Sequence, residues 1–66
     1  MKWRLVDFEA RGNGRYRFRG GTSDGGGFYL DLEMVDGVLE IVDTNNRLAE
    51  PDELLEAAER FLESSM

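Results

Sequence analysis

The dipeptide Asp36-Gly37 lies between two segments that alternate apolar and polar residues, and no other feature restricts the chain as much. Both residues tolerate the positive φ of a type I′ turn, whose twist matches that of two antiparallel strands. A two-residue loop here pairs Met34 with Leu39 and Leu32 with Ile41 on one face. The other face then holds Val35 with Val38, Glu33 with Glu40, and Asp31 with Val42. Side chains alternate between faces, so a slip of one residue would exchange the two sets completely. Phe28 and Leu30 extend the apolar face, which predicts strands over about 28–35 and 38–44.

A second hairpin is written earlier in the chain. Residues 15–19 alternate, with Tyr16 and Phe18 on one face and Arg15, Arg17 and Arg19 on the other. Upstream, Trp3, Leu5, Val6, Phe8 and Ala10 are apolar, and their period of two slips once, between Leu5 and Val6. Such a slip points to a bulge or bend. A three-residue loop, Gly12 to Gly14, pairs Ala10 with Tyr16 and Phe8 with Phe18, and it sets Glu9 opposite Arg17 and Asp7 opposite Arg19. A two-residue loop would instead mix apolar and charged residues on both faces. The predicted strands run over about 2–11 and 15–20. Residues 20–27 are then a glycine-rich, flexible connection.

The last element is a helix over about 51–63. Pro51 suits the first helical position, and Asp52 and Glu53 complement the positive end of the helix dipole. Leu54, Leu55, Ala58, Phe61 and Leu62 form one apolar stripe, with a Glu56–Arg60 pair on the exposed side. Asn45-Asn46 reads as a weaker tight turn leading into a very short strand at Arg47 and Leu48. The fold class is α+β: one domain, a four-stranded antiparallel up-and-down sheet with a C-terminal helix packed on one face. The pattern leaves a flat sheet and a small, partly open barrel as alternatives.

The 66 residues sit near the lower limit for a core held without staples. With no cysteine and no histidine, thiolate chemistry, disulfides and the commonest general base are excluded. Neither a signal-like apolar run nor a membrane-length apolar stretch is present, so the expectation is a soluble, cytoplasmic protein. The net charge of −6 is unevenly spread: residues 1–20 hold six of the eight basic side chains. An acidic whole disfavours non-specific nucleic-acid binding, which depends on releasing counterions from phosphate.

The arginine stripe at 15, 17 and 19 invites a phosphate-binding reading with Tyr16 and Phe18 as stacking platforms. Strand alternation places those aromatics on the opposite face, and Asp7, Glu9, Asp31 and Glu33 are positioned to neutralise the stripe. Lys2, Arg4, Arg11 and Arg15 are the cations that pairing leaves least neutralised. Arg19-Gly20-Gly21 is a single RGG without repetition, and the glycine-rich loop lacks the Gly-Lys-Ser/Thr and following helix of a P-loop. Asp43 and Asn45 begin like a calcium loop, but Leu48 and Leu54 stand where glycine and glutamate are needed. Glu33 opposite Glu40 is a like-charge pair that is either relieved by Arg17 or another arginine or helps to bind a cation weakly. No catalytic, cofactor-binding or metal residue is expected, and no cofactor.

Ideal turn pairs, strict binary patterning and the helix from Pro51 to Leu62 resemble those of computationally designed mini-proteins. The layout of strands followed by a Pro-led, leucine-rich helix is also similar to the small archaeal chromatin proteins. Those bind DNA through a strongly basic sheet, so with this mixed-to-acidic sheet the resemblance implies fold and not DNA binding. The expected function is a non-enzymatic scaffold designed for its fold alone, requiring no partner. The alternative is a natural interaction module, a small bacterial or phage protein binding a basic partner through its acidic helix and second hairpin. Its candidate surface comprises Tyr29, Val35, Val38, Val42, Glu53, Glu56, Glu59 and Glu63. A homodimer through the outer sheet face is the other association this surface allows. Neither nucleic acid nor membrane is an expected partner.

Overall fold

The computed structural model describes residues 2–65. Four strands, β1 (Trp3–Gly12), β2 (Arg15–Thr22), β3 (Gly27–Val35) and β4 (Val38–Thr44), precede a single helix, α1 (Pro51–Ser64). The strands pair antiparallel in the order β1-β2-β3-β4, so the sheet is an open meander and not a closed barrel.

The first and last of the three hairpins turn on residues with positive φ, Asn13 (56°) with Gly14 (75°) and Asp36 (52°) with Gly37 (80°), the signature of type I′ turns. In the first hairpin Ala10 faces Tyr16, Phe8 faces Phe18, Glu9 faces Arg17 and Asp7 faces Arg19, as expected. The loop that produces this register differs from the expected three-residue one. Gly12 pairs with Arg15 around a two-residue turn, and Arg11 is the extra residue, bulged out of the ladder. A bulge plus a short turn consumes the same number of residues, and it keeps the favoured turn type. The other slip in β1 falls at Val6, where the alternation breaks.

Two further expectations are corrected. In the β3–β4 ladder Val35, Glu33, Met34 and Leu32 meet Val38, Glu40, Leu39 and Ile41 as anticipated, but Asp31 meets Asp43 and not Val42. Val42 is skipped as a bulge, so Asp43 takes the outer position and Thr44 the inner one opposite Leu30. No strand forms at Arg47 and Leu48; the chain from 45 to 50 is irregular. Side chains hold it: Asn45 Oδ1 accepts the Tyr29 N–H at 2.9 Å, and Asn46 Oδ1 accepts the Leu48 N–H at 2.8 Å.

Half of the glycine-rich segment is strand, since β2 continues to Thr22 and β3 starts at Gly27. The remaining turn is closed by Asp24, whose carboxylate accepts the Thr22 hydroxyl and, at 3.1 Å, the Gly26 N–H. Those bonds hold the Asp24 carboxyl below its ordinary range, the Thr22 hydroxyl contributing most.

The core lies between the sheet and α1. Trp3, Phe18, Phe28, Leu30, Leu32 and Leu39 from the strands pack with Leu54 and Ala58 from the helix. Phe61 stands edge-on to both Phe8 and Phe18, at centroid distances of 6.0 and 6.1 Å, and joins the two layers. At the helix start the Glu53 carboxylate accepts the Glu50 N–H at 3.4 Å, with Pro51 in the first turn. These are the elements of a capped N-terminus.

Candidate functional site

The sheet face turned away from the helix carries the arginine stripe, and each arginine has an acidic partner on an adjacent strand. Arg15 Nε donates to Glu33 at 3.2 Å and Arg19 Nε to Asp7 at 2.8 Å. Arg17 makes a bidentate pair with Asp31, 2.7 Å from Nε to Oδ1 and 2.8 Å from Nη2 to Oδ2. This half-buried pair is the strongest of the three, because two parallel charge-assisted bonds share one planar geometry. The Arg17 guanidinium holds the Asp31 carboxyl below the usual carboxylate range. Glu9, although opposite Arg17 in the ladder, forms no ion pair among the described residues.

Arg15 relieves the like-charge pair of Glu33 and Glu40, as one of the arginines open to that role. Asp43, which the sequence presented only as the start of an incomplete calcium loop, has a different role. The bulge at Val42 swings Asp43 onto the outer face, where it accepts the Tyr29 hydroxyl at 2.9 Å. That bond raises the Tyr29 pKa above its ordinary value, since ionisation would place two negative charges together. The Arg17 guanidinium carbon lies 5.2 Å from the Tyr29 ring centroid. Asp31 and Asp43, adjacent across the ladder, are thus kept apart electrostatically by Arg17 and the Tyr29 hydroxyl. The signal was the polar run Thr44-Asn45, which bonds to Tyr29 where the bulge interrupts the ladder: Thr44 Oγ1 donates to its carbonyl at 2.6 Å.

The eight candidate surface residues fall into two sets on opposite sides of the molecule. On the sheet, Tyr29 belongs to the charged network, Val35 and Val38 form a cross-strand pair beside the turn, and Val42 stands alone on its bulge. Val38 and Val42 are 61% and 54% exposed, and Glu40 lies between them in the strand, so these valines do not merge into one apolar patch. On the helix, Glu53, Glu56, Glu59 and Glu63 are all exposed. Glu53 caps the helix and Glu56 pairs with Arg60, whereas Glu59 and Glu63 form no ion pair among the described residues.

A shallow cavity of about 600 Å³ lies over the outer face between Arg11, Arg15, Arg17, Asp31, Glu33 and Val42. Among the described residues, no group of three or more acidic side chains is arranged to hold a metal ion, and no helix is long and apolar enough to cross a membrane.

No family model, curated protein or solved structure matches the chain.

Tyr29, Arg17, Asp31 and Asp43 form the most organised polar constellation in the chain. Its groups are tied to one another: each carboxylate oxygen facing Arg17 is bonded, and the phenol proton is engaged.

Proposed function

We propose that the chain is a non-enzymatic scaffold, a unit made for its fold alone, of the kind produced by computational design. The observation that carries this reading is the arginine stripe. Arg15, Arg17 and Arg19 each close on a carboxylate of a neighbouring strand, which directs their charge to the sheet and away from a ligand. Cross-strand pairs of this sort each contribute about 0.2–1 kcal/mol to a sheet. Two type I′ turns and a Pro-led, capped helix agree with the same reading. Guanidinium unfolding followed by circular dichroism tests it. A midpoint above roughly 5 M is expected. A midpoint in the ordinary range for a small natural domain removes the reading.

A second reading, an interaction module for a basic partner, draws on Glu59 and Glu63. The last turn of α1 contains no basic residue, and Glu63 opposes the negative end of the helix dipole with Glu59 a like charge one turn before it. Fold stability therefore does not account for them. A lysine-rich peptide titrated into the labelled protein would shift amide signals along α1 at low salt under this reading, and would leave them in place under the first.

A further inference from the structure

β1 and β4 are the two edges of the sheet, and each has one side of its backbone without a strand partner among the described residues. Open edges are templates for pairing with another chain unless charge or irregularity blocks them. The charged residues of β4 are Glu40 and Asp43, both acidic. A second copy pairing antiparallel there would set carboxylates against carboxylates.

β1 is different. Lys2 and Arg4 lie before the bulge at Val6, and Asp7 and Glu9 lie after it. All four belong to the outer face. Asp7 and Glu9 stand opposite Arg19 and Arg17, and Arg4 stands opposite Gly21. The next glycine, Gly20, turns its missing side chain toward the Phe28 ring in the core, which places Gly21 and Arg4 outward. Lys2, Arg4 and Val6 line one shallow cavity of about 500 Å³ with Gly21 and Thr22. The edge is therefore positive in its first half and negative in its second, on one face.

We propose that β1 is a self-association edge, joining two copies of this chain by antiparallel pairing about a two-fold axis between Leu5 and Val6. In that register Lys2 lies opposite the partner's Glu9 and Arg4 opposite the partner's Asp7. Trp3 meets the partner's Phe8 on the inner face. The bulge makes this arrangement self-consistent. In a regular strand residues 4 and 7 point to opposite faces, and one extra residue between them brings both to the same face. A two-fold axis presents each charge pair twice. Lys2, Arg4 and Glu9 form no ion pair among the described residues, so they are available for such pairing.

The inner face is also incomplete along this edge. Leu5 and Phe8 are only partly buried, and a groove of about 260 Å³ lined by Trp3, Leu5, Ala57 and Phe61 runs along the seam between β1 and α1. A second copy at the edge covers that seam. Self-association of this kind goes beyond a scaffold role and does not depend on it.

Sedimentation equilibrium of the full chain tests the proposal, with circular dichroism showing that each variant is folded. The expected result is a monomer–dimer equilibrium that weakens with added salt. Lys2→Glu and Glu9→Lys should each raise the dimer dissociation constant roughly tenfold, because each turns two attractive pairs per dimer into repulsive ones. The double variant should return it to near the original value. Both residues are exposed, so neither change is expected to unfold the chain. A chain that stays monomeric up to millimolar concentration overturns the proposal. So does a dimer indifferent to both single changes, which would place the contact elsewhere, or a double variant no better than the singles.

Discussion

Gly20 and Gly21 are neighbours in β2 with opposite surroundings. A Cβ on Gly20 would run into the Arg4 carbonyl oxygen and the Phe28 ring, and that ring is itself fixed edge-on against Trp3 at 5.8 Å. A Cβ on Gly21 meets nothing nearer than the Gly26 carbonyl oxygen at 3.7 Å. Gly20→Ala should therefore cost about 1–3 kcal/mol through overpacking. Gly21→Ala should be neutral or stabilise by up to about 1 kcal/mol, since glycine is the poorer strand residue. Chemical denaturation of the two variants side by side checks this; equal effects would show that the Phe28 contact does not govern the site. Asn46 is the buried polar residue of this scale. Its Oδ1 accepts the Leu48 N–H, while its Nδ2 has no hydrogen-bond partner among the described residues. It gives shape to the turn at the cost of one unsatisfied donor.

At the scale of elements, the β2–β3 pair and the helix ends carry the electrostatics. Arg17 lowers the pKa of Asp31 in the fold, from an ordinary value near 3.8. A depressed carboxyl pKa adds stability that is complete above the unfolded value and is lost as pH falls through the folded one. Arg17→Gln should thus move acid unfolding to higher pH, with little further change in pH dependence near neutrality. Circular dichroism across an acid titration would reveal it, and an unmoved midpoint would mean that Asp31 gains nothing from its partner. Asp24, lowered by Thr22 and Gly26, contributes with the same sign and remains in that variant. On α1, Glu63→Lys should stabilise by about 0.3–1 kcal/mol, because a cation suits the C-terminal end of a helix dipole. A rise in Tm that salt diminishes is the expected reading.

At the scale of the molecule, two layers meet through a few aromatic contacts. Phe61 is the helix residue that stands edge-on to both Phe8 and Phe18, and Leu54 and Ala58 are the fully buried helix residues, with Leu55, Ala57 and Leu62 packed partly against the core. Phe61→Ala should cost about 3 kcal/mol, the low end for a large aromatic because its side chain is only partly buried. Small domains are marginal, so a loss of that size is a large fraction of the total. Urea unfolding should show a lower midpoint, and the residual sheet should bind a hydrophobic dye as its inner face is uncovered. A midpoint within error of the parent would shift the joint between layers onto Leu54 and Ala58.

Much of this architecture was legible in local chemistry. Asp36-Gly37 supplies positive φ where a tight hairpin demands it, and the alternation around both turns leaves one register that segregates Phe8, Phe18, Leu32 and Leu39 from the charges, although the turn at Asn13-Gly14 is one residue shorter than the pattern suggested. Pro51 and the stripe from Leu54 to Leu62 define the helix in the same local way. The opposition of Arg19 to Asp7 followed from hairpin register, and Asp31 and Glu33 were among the acids expected beside the stripe, but the β2–β3 pairing decided that Arg17 meets Asp31 and not Glu9. Beyond the slip at Val6, local patterning did not reach the places where one residue is left over. The bulges at Arg11 and Val42, the Asp43–Tyr29 bond that the second bulge creates, and the irregular chain from 45 to 50 depend on strand twist and on packing between segments distant in sequence. A hydrophobic period specifies which face a side chain prefers. Only the assembled sheet and helix decide which residue is skipped so that every buried side chain keeps that face.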